Sequence, residues 1–365
     1  MMNSKEKDIF YIKKVIELAK KGQYTAHPNP MVGAIIVKNN KIIGKGYHKK
    51  PGTPHAEQIA IKQAGKDVKN STLYVNLEPC CHFGRTPPCS NIIIESKIKR
   101  VVICERDPNP IVNGKSVRQL KKSGVIVDVG LYKNEATSLN KGFYNRFNLK
   151  KPYVTVKIGM SLDGKVSISN GDSKWITSNK SRVDVQYERA LTPLILSTSN
   201  TIIKDNPLLN VRVKSLQKKI INQPSLALID SNLRIPLDSK VFSNYSRKII
   251  IFTARKKIYK KYNPNVEVIT ISNTENGLNI KSCLKHLALR DYNNIFIESG
   301  PKFVSTLLKQ NLVDELILYI SPKILGNKSN DFSNVDYIKT LSKKIKFNFN
   351  DMIQIGNDIK LKLNS

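Results

Sequence analysis

The sequence predicts an α/β protein built of two domains. Three observations lead to this prediction: the length, an alternation of helical and strand patterns, and a restart of that alternation near residue 150. At 365 residues the chain exceeds one usual hydrophobic core, since domains hold roughly 100–200 residues. We therefore expect one domain over residues 1–147 and a second over residues 148–365.

The first domain begins with an amphipathic helix in which Ile9, Ile12, Ile16 and Ala19 recur at helical spacing. Two apolar runs joined at Asn39-Asn40 then predict a β-hairpin. The remaining patterns predict helices over 55–64, 89–95 and 116–122, and strands over 72–77, 100–104 and 125–129. Such an alternation is typical of one sheet with helices on both faces.

A polar stretch over 145–152 separates the two halves and ends in Lys150-Lys151-Pro152. Proline biases the residue before it away from helix, which suits a domain boundary. Beyond it, we expect helices over 179–191 and 301–310, and strands over 153–158, 194–198, 226–229, 248–252, 266–271, 294–297 and 316–320.

Composition bounds the classes of function. The net charge of +33 comes from lysines spread through every segment, without an arginine-rich stripe interleaved with aromatic residues, so we expect no nucleic-acid partner. The start lacks the apolar core of a signal peptide and no apolar run could cross a bilayer, so we expect a cytoplasmic protein without membrane contact. Five cysteines, two of them adjacent, do not form a disulfide framework and are free for metal or burial.

The pattern of His55-Ala56-Glu57, Pro79-Cys80 and Cys89 predicts a zinc hydrolase. Catalytic zinc sites have three protein ligands and keep a fourth position for water, whereas structural sites are closed by four ligands. His55, Cys80 and Cys89 supply three ligands, and Glu57 is left to carry protons. The alternative is a closed zinc knuckle, or cysteines that are merely buried.

Zinc deaminases carry the signature H-x-E with P-C-x-x-C. Here eight residues separate Cys80 from Cys89, which makes Cys81 and His82 rival ligands. We favour Cys80 because it directly follows Pro79. The hypothesis is a deaminase that replaces an amino group on an electron-poor ring.

Longer strings in this half resemble a known family. H-P-N-P-M-V-G-A at 27–34, H-A-E at 55–57 and L-E-P-C-C-H-F-G-R-T-P-P-C at 77–89 are similar to the bifunctional pyrimidine deaminase and reductase of riboflavin biosynthesis. The resemblance implies a cytidine-deaminase-like three-layer sandwich in which His55, Cys80 and Cys89 hold Zn²⁺ and Glu57 shuttles protons. It also implies that Asn29 and His48 line the pyrimidine pocket.

The second half lacks both common nucleotide-binding fingerprints, G-x-G-x-x-G after a strand and G-x-x-x-x-G-K-[ST]. Its best unaided clue is Glu298-Ser299-Gly300-Pro301 between a strand and a helix, where a helix N-terminus suits a phosphate. An ordinary strand-to-helix turn would give the same pattern.

The resemblance extends over this half through K-I-G-M-S-L-D-G-K at 157–165, W-I-T-S at 175–178, D-N-P-L-L-N-V-R at 205–212, L-I-D-S at 228–231, E-S-G-P at 298–301 and V-D-E-L at 313–316. It implies a dihydrofolate-reductase-like domain that binds NADPH. The implied cofactor contacts are Gly159, Trp175, Thr201, Asp205, Ser231, Gly300, Pro301, Lys302, Phe303, Val304, Ser305 and Thr306. The implied substrate contacts are Ser173, Arg189, Leu209, Arg212 and Glu298. Asn200, Asn206 and Lys174 depart from the pattern expected of the family.

The combined hypothesis is a homo-oligomeric enzyme that acts on a phosphorylated pyrimidine ribosylamine. Zinc-dependent removal of its 2-amino group would be followed by NADPH-dependent reduction of its ribose to ribityl. One rival is a deaminase of RNA bases with an accessory domain, which predicts salt-sensitive RNA binding. Another is a non-catalytic zinc-stabilised binding module, which would be indifferent to replacement of Glu57.

Overall fold

The computed structural model describes residues 3–83, 87–169, 176–275, 277–335 and 344–365. The chain divides into two compact units, Met1–Lys150 and Lys151–Ser365. The clusters of buried apolar side chains in one unit share no member with those of the other.

The first unit contains a five-stranded sheet in the order β2-β1-β3-β4-β5. Strand β1 pairs antiparallel with β2 and β3, whereas β3, β4 and β5 run parallel. The strands are β1 (Gly33–Lys38), β2 (Lys41–Tyr47), β3 (Thr72–Val75), β4 (Arg100–Ile103) and β5 (Ile126–Val129). The helices are α1 (Ser4–Ala19), α2 (Ala56–Ala64), α3 (Cys89–Glu95), α4 (Lys115–Lys122), α5 (Lys133–Leu139) and α6 (Lys141–Asn148).

Helices cover both faces of this sheet, as the alternation predicted. On one face, the apolar side chains of α2, α3 and α4 pack with alternate residues of the strands, including Ile36 and Leu73. On the other face, α1 and α5 pack against the intervening residues, including Ile35 and Tyr74. The alternation along each strand thus divides the core into two layers around one sheet.

Two glycines of β2 allow α2 to lie unusually close to the sheet. A Cβ atom built on Gly44 would come within 2.2 Å of the Ala60 carbonyl oxygen, and one on Gly46 within 2.3 Å of the Ala56 carbonyl oxygen. No side chain fits at such distances, so glycine is required where backbone meets backbone. The two contacts fall on the first and the fifth residue of α2.

The second unit contains a nine-stranded sheet in the order β11-β10-β9-β8-β14-β6-β15-β18-β17. The strands from β11 to β15 run parallel, and β18 and β17 add an antiparallel edge. They are β6 (Tyr153–Ser161), β8 (Leu194–Thr198), β9 (Ser225–Ile229), β10 (Ile249–Thr253), β11 (Val266–Thr270), β14 (Asn294–Glu298), β15 (Glu315–Ser321), β17 (Asn348–Ile355) and β18 (Asp358–Asn364). Short pairs are formed by β7 (Lys165–Ser167) with β16 (Asn330–Asp331) and by β12 (Asn273–Thr274) with β13 (Gly277–Leu278).

The described helices of this unit are α7 (Asn179–Ala190), α8 (Ser199–Asp205), α9 (Lys214–Gln217), α10 (Ile280–Leu289) and α11 (Pro301–Lys309). Helices α10 and α11 pack on one face of the sheet with the largest apolar cluster. Side chains from α7 and α8 contribute to the clusters on the other face. Among the described residues, no helix has both the length and the apolar character needed to span a membrane.

The sequence predictions missed several elements. The polar stretch over 145–152 overlaps the end of α6, whose buried residues Phe143 and Tyr144 are too few to show a helical period. Helix α10 and the β17–β18 edge were not predicted. In β17 the first seven residues are exposed, so its sequence lacks the buried face on which a strand prediction depends.

Candidate active sites

The first unit brings His55, Cys80 and Cys89 together, and their ligand atoms all lie within 4.8 Å of one another. The His55 Nδ1 atom is 3.5 Å from the Cys80 Sγ atom and 3.3 Å from the Cys89 Sγ atom. Tetrahedral zinc has bonds of about 2.0–2.1 Å to nitrogen and about 2.3 Å to sulfur, which imply N···S separations of about 3.5 Å. The donor set and its spacing therefore fit zinc.

Two helix starts place these ligands. His55 is the N-cap residue of α2, and Cys89 is the first residue of α3. The Cys89 backbone N–H donates to the Cys80 Sγ atom at 3.4 Å, so the helix start supports the neighbouring sulfur. Hydrogen bonding by Cys89, followed by that of His55, lowers the pKa of the Cys80 thiol to about 4. The site thus favours a thiolate, the form that ligates metal.

Glu57 lies in the first turn of α2 and is not part of the ligand group. It is the second residue of α2, and only 3% of its surface is exposed. Burial raises the pKa of its carboxyl group, whereas the neighbouring His55 opposes that shift. A carboxyl group whose proton is bound more tightly than in water is suited to take and return protons.

The rival ligands Cys81 and His82 are outside this group. The Cys81 thiol points to the Ile111 carbonyl oxygen, 3.8 Å away. The loop that carries Ile111 is itself fixed by the buried Glu78 carboxylate. Glu78 accepts hydrogen bonds from the Gly114 N–H at 2.8 Å and the Ser116 hydroxyl at 2.9 Å, and also from the N–H groups of Asp107 and Val117. Sequence reasoning assigned no role to Glu78, although it directly precedes Pro79.

Asn29 and His48, which the resemblance places in the pyrimidine pocket, lie together beside the zinc ligands. The Asn29 Nδ2 atom is 2.9 Å from the His48 Nε2 atom, and the His48 and His55 rings are 5.4 Å apart, edge to face. Burial, and then the charge of His55, lowers the pKa of His48 to about 4. His48 is therefore neutral at pH 7 and can hydrogen-bond a neutral ring.

The second unit contains a cavity of about 830 Å³. It lies where the parallel strands β6, β8, β9 and β14 end, because Gly159, Thr198, Ser231 and Ser299 line it. Ligands of open α/β sheets bind at the carboxyl ends of the strands, and a volume of this order is typical of a cofactor or substrate pocket. A Cβ atom on Gly300 would meet nothing within 4 Å, so the start of α11 is open to a phosphate.

Most residues that the resemblance assigns to the cofactor or the substrate line this cavity. They are Gly159, Thr201, Asp205, Ser231, Gly300, Pro301, Lys302, Phe303, Val304 and Thr306, together with Arg189, Leu209 and Glu298. Ser305 and Arg212 do not line it. The Ser305 hydroxyl instead donates to the Pro301 carbonyl oxygen at 2.8 Å and accepts from the Asn334 N–H at 2.6 Å. Ser173 and Trp175, as well as Lys174, lie outside the described residues.

A buried ion-pair network forms one wall of the cavity. Glu298 accepts two hydrogen bonds from Arg189, at 2.6 and 3.1 Å, and the Lys157 ammonium group is 3.1 Å away. Burial alone would raise the pKa of Glu298, but Arg189 and Lys157 hold it at about 2. Glu298 is therefore ionised at neutral pH, and its charge orients both cations.

Sequence reasoning assigned no role to several polar residues that line the cavity, among them Lys157, Thr177, Lys204 and Arg234. Thr177 lies just before α7, and Lys204 lies on α8. Arg234 donates to the Ser199 hydroxyl at 3.2 Å and to the Asn200 side chain. Lys157 offered a signal, because it is a charged residue in the middle of the otherwise uncharged strand β6.

Fold and site together define a class: a zinc-dependent deaminase unit followed by a nucleotide-dependent reductase unit. Residues 5–105 match the family model of the cytidine and deoxycytidylate deaminase zinc-binding region, and residues 152–361 match that of the RibD C-terminal domain. The riboflavin biosynthesis protein RibD of Buchnera aphidicola is 42% identical over 368 aligned residues, which cover 97% of this chain and 98% of that protein.

Solved structures agree along the whole chain. RibD of Acinetobacter baumannii superposes with a TM-score of 0.91 at 35% identity, and a diaminohydroxyphosphoribosylaminopyrimidine deaminase/5-amino-6-(5-phosphoribosylamino)uracil reductase of Thermotoga maritima with 0.87 at 34%; each match covers 99% of both chains. The chain belongs to the RibD family of riboflavin biosynthesis proteins. It is a bifunctional enzyme with deaminase and reductase domains, and its cofactors are zinc and NADPH.

Proposed function

We propose that residues 1–147 remove the 2-amino group of 2,5-diamino-6-(5-phosphoribosylamino)pyrimidin-4-one, and that residues 148–365 reduce the ribosyl group of the product to ribityl. The observation that carries the proposal is the three-ligand cluster of His55, Cys80 and Cys89 with the buried, non-ligating Glu57 beside it. The Thermotoga relative, whose name contains both activities, supports the choice of substrates.

His55, Cys80 and Cys89 would hold the zinc, which would supply an activated water of pKa about 7. With zinc bound, Glu57 would take one proton from the water and deliver it to the ring nitrogen beside the attacked carbon; it would then pass the second proton of the water, from the new hydroxyl group on that carbon, to the departing amino group. A C–O bond forms, the C–N bond breaks and ammonia leaves. Asn29 and the neutral His48 orient the pyrimidine by hydrogen bonds, without adding charge next to the metal ligands.

In the reductase unit NADPH supplies the hydride, so the residues mainly have to hold the cofactor and the pyrimidine substrate next to each other. The start of α11 and Ser231 are proposed to bind cofactor phosphates and ribose, because they line the open ends of the parallel strands. Lys204 and Arg234 add two cations to the same cavity. Positive charge there favours the extra phosphate of NADPH over NADH.

The substrate phosphate is proposed to bind near Arg212. Arg189 already donates to Glu298 and to the Asn210 carbonyl oxygen, at 2.9 Å for the latter. By contrast, Arg212 is half exposed and forms no carboxylate ion pair among the described residues; its Nη1 atom donates to the Asn210 side chain at 3.2 Å. Arg212 therefore has donors available for a phosphate.

One set of assays tests the whole proposal. Metal content, ammonia release from the diaminopyrimidine and NADPH oxidation with the deaminated product are measured on one preparation. We expect about one zinc per chain and both activities. Zinc-loaded protein that releases no ammonia would refute the first assignment, and failure to oxidise NADPH would refute the second.

A homo-oligomer in the cytoplasm completes the proposal. The edge strand β17 is exposed on both faces and presents Phe349 and Met352, which are 76% and 71% exposed. An apolar edge strand that stays unpaired invites aggregation, so a second copy of the chain is the proposed cover. Light scattering measures the oligomeric state of the chain, and replacement of Met352 by Lys should weaken the assembly.

Cell fractionation tests the proposed cytoplasmic location. We expect no RNA binding at physiological salt.

A further inference from the structure

The segment 205–212 runs from the end of α8 towards α9 and reaches the reductase cavity. Its backbone conformation is unfavourable unless contacts with other residues stabilise it. Leu209 lines the cavity and is 3% exposed, yet its φ angle is +47°. A left-handed backbone is unfavourable for a residue with a branched side chain and persists only where the surroundings impose it. The contacts of this loop therefore decide whether Leu209 stays in the pocket.

Side chains from elsewhere in the unit bind the backbone on both sides of Leu209. The Asn210 carbonyl oxygen accepts from Arg189, and the Arg212 N–H donates to the Gln186 side chain at 2.8 Å. Gln223 binds both the N–H and the carbonyl oxygen of Val211, at 2.8 and 2.9 Å. These bonds hold residues 210–212. A further bond, to the residue before Leu209, comes from Arg247.

Arg247 lies just before strand β10 and is 2% exposed. Its Nη1 atom donates to the Leu208 carbonyl oxygen at 3.0 Å, and its Nε atom donates to the Pro224 carbonyl oxygen at 2.7 Å. It forms no carboxylate ion pair among the described residues, and its Nη2 atom has no hydrogen-bond partner there. Burying an unpaired guanidinium group is costly, so plain packing would favour an apolar side chain of similar length.

We propose that Arg247 is a positioning residue of the reductase: its guanidinium group fixes the Leu208 carbonyl oxygen and thereby holds Leu209 at the cavity and Arg212 beside it, where the substrate phosphate is proposed to bind. The planar fork suits this task, because it binds two carbonyl oxygens in a fixed geometry, which an ammonium group does not. The inference rests on the proposed reductase activity. It adds a residue that does not line the cavity and that the family strings do not contain.

The test compares Arg247→Met, Arg247→Lys and the control Lys248→Met in the full-length, zinc-loaded chain. Lys248 is the adjacent cation, but its side chain is half exposed and its ammonium group is 3.5 Å from Glu267. We measure kcat and the KM values for the deaminated pyrimidine and for NADPH, together with ammonia release and thermal unfolding.

In Arg247→Met we expect the KM for the pyrimidine to rise about tenfold, the loss that corresponds to about 1.4 kcal/mol and to one hydrogen bond. The KM for NADPH and the rate of ammonia release should stay within about twofold, and Lys248→Met should behave as the parent. Arg247→Lys should show the same selective rise, since it retains the charge without the fork.

Two results would overturn the proposal: an unchanged KM for the pyrimidine in a folded variant, or an equal rise of both KM values, which a merely structural role would produce. If Arg247→Met does not fold, the same criteria apply to Arg247→Lys. Absence of NADPH oxidation by the parent protein would instead refute the proposed reductase function and would not bear on Arg247.

Discussion

The deaminase and reductase sites of this chain are assembled differently. The proposed zinc ligands fall within residues 55–89 and come from the starts of α2 and α3 and from the loop between β3 and α3. The reductase cavity is lined by residues from Lys157 to Phe332, which reach it from the ends of several strands. The first site depends on rare side chains at fixed spacing, and the second on shape, backbone and a few charges. A site of the first kind can be predicted from the residue types in the sequence. A site of the second kind can be located only once the pairing of the strands is known.

The sharpest test of this comparison is Glu57→Gln. We expect deamination to fall by about a thousandfold, within the 10²–10⁴ range typical of a lost general acid–base group, while zinc content and NADPH oxidation stay unchanged. Ammonia release and metal analysis on the same sample measure the effect. Glu17→Gln, an exposed position on α1, is the matched control. A parallel loss of reductase activity would mean that the two sites do not act independently.

Glu298→Gln probes the charge network that holds the reductase cavity together. The folded-state pKa of Glu298, about 2, is below the ordinary value of 4.5, so its ion pairs stabilise the unit above pH 4.5 and lose that effect as the pH falls towards 2. A shift of this size corresponds to an effect on the order of 3 kcal/mol.

Thermal unfolding from pH 7 to pH 3 checks that prediction. The variant should unfold at a lower temperature than the parent at pH 7, and the difference should shrink below pH 4.5. A difference that is constant over this range would show that the Glu298 charge does not stabilise the fold.

Gly46→Ala asks whether the zinc site depends on close packing of α2 against β2. The added methyl group would lie 2.3 Å from the Ala56 carbonyl oxygen, between the ligand His55 and Glu57. Overpacking costs about 1–3 kcal/mol, so we expect zinc affinity and deamination to fall about tenfold, with the reductase unaffected. Zinc titration against a chelator measures this. Full zinc affinity in the variant would show that the first turn of α2 tolerates displacement.

Arg234→Ala should have the smallest effect and bears on cofactor choice. Because Arg234 is an exposed cation at the cavity, its contribution is partly screened by solvent. We expect the KM for NADPH to rise about fivefold, as for a loss of about 1 kcal/mol, and the KM for NADH to change little. Steady-state kinetics with NADPH and with NADH measures both KM values. An equal rise for NADH would place Arg234 away from the additional phosphate.

The sequence predicted the zinc cluster in detail because His55, Cys80, Cys89 and Glu57 carry their chemistry in their side chains. It also predicted most strands of the parallel sheet, which are continuous apolar runs. Strand β17 was not predictable in the same way, since its exposed residues show no buried face. Leu209 and Arg247 illustrate a further limit. A left-handed leucine and a buried arginine look ordinary in sequence, and their importance comes from a contact between residues almost forty positions apart.

The roles of individual residues in the reductase cavity stay predictions. The resemblance placed thirteen of its seventeen implied contacts where the cavity is lined, but Ser305 and Arg212 lie beside it, and Ser173 and Trp175 fall outside the described residues. Packing decides such details, because one residue of shift along a helix or loop turns a side chain away from the ligand.

The separate apolar cores of the two units have a genetic consequence. A lesion that empties one core can leave the other half intact, so two defective alleles, one damaged in each half, can restore vitamin synthesis when they share a cell. The intermediate would then pass between different molecules by diffusion.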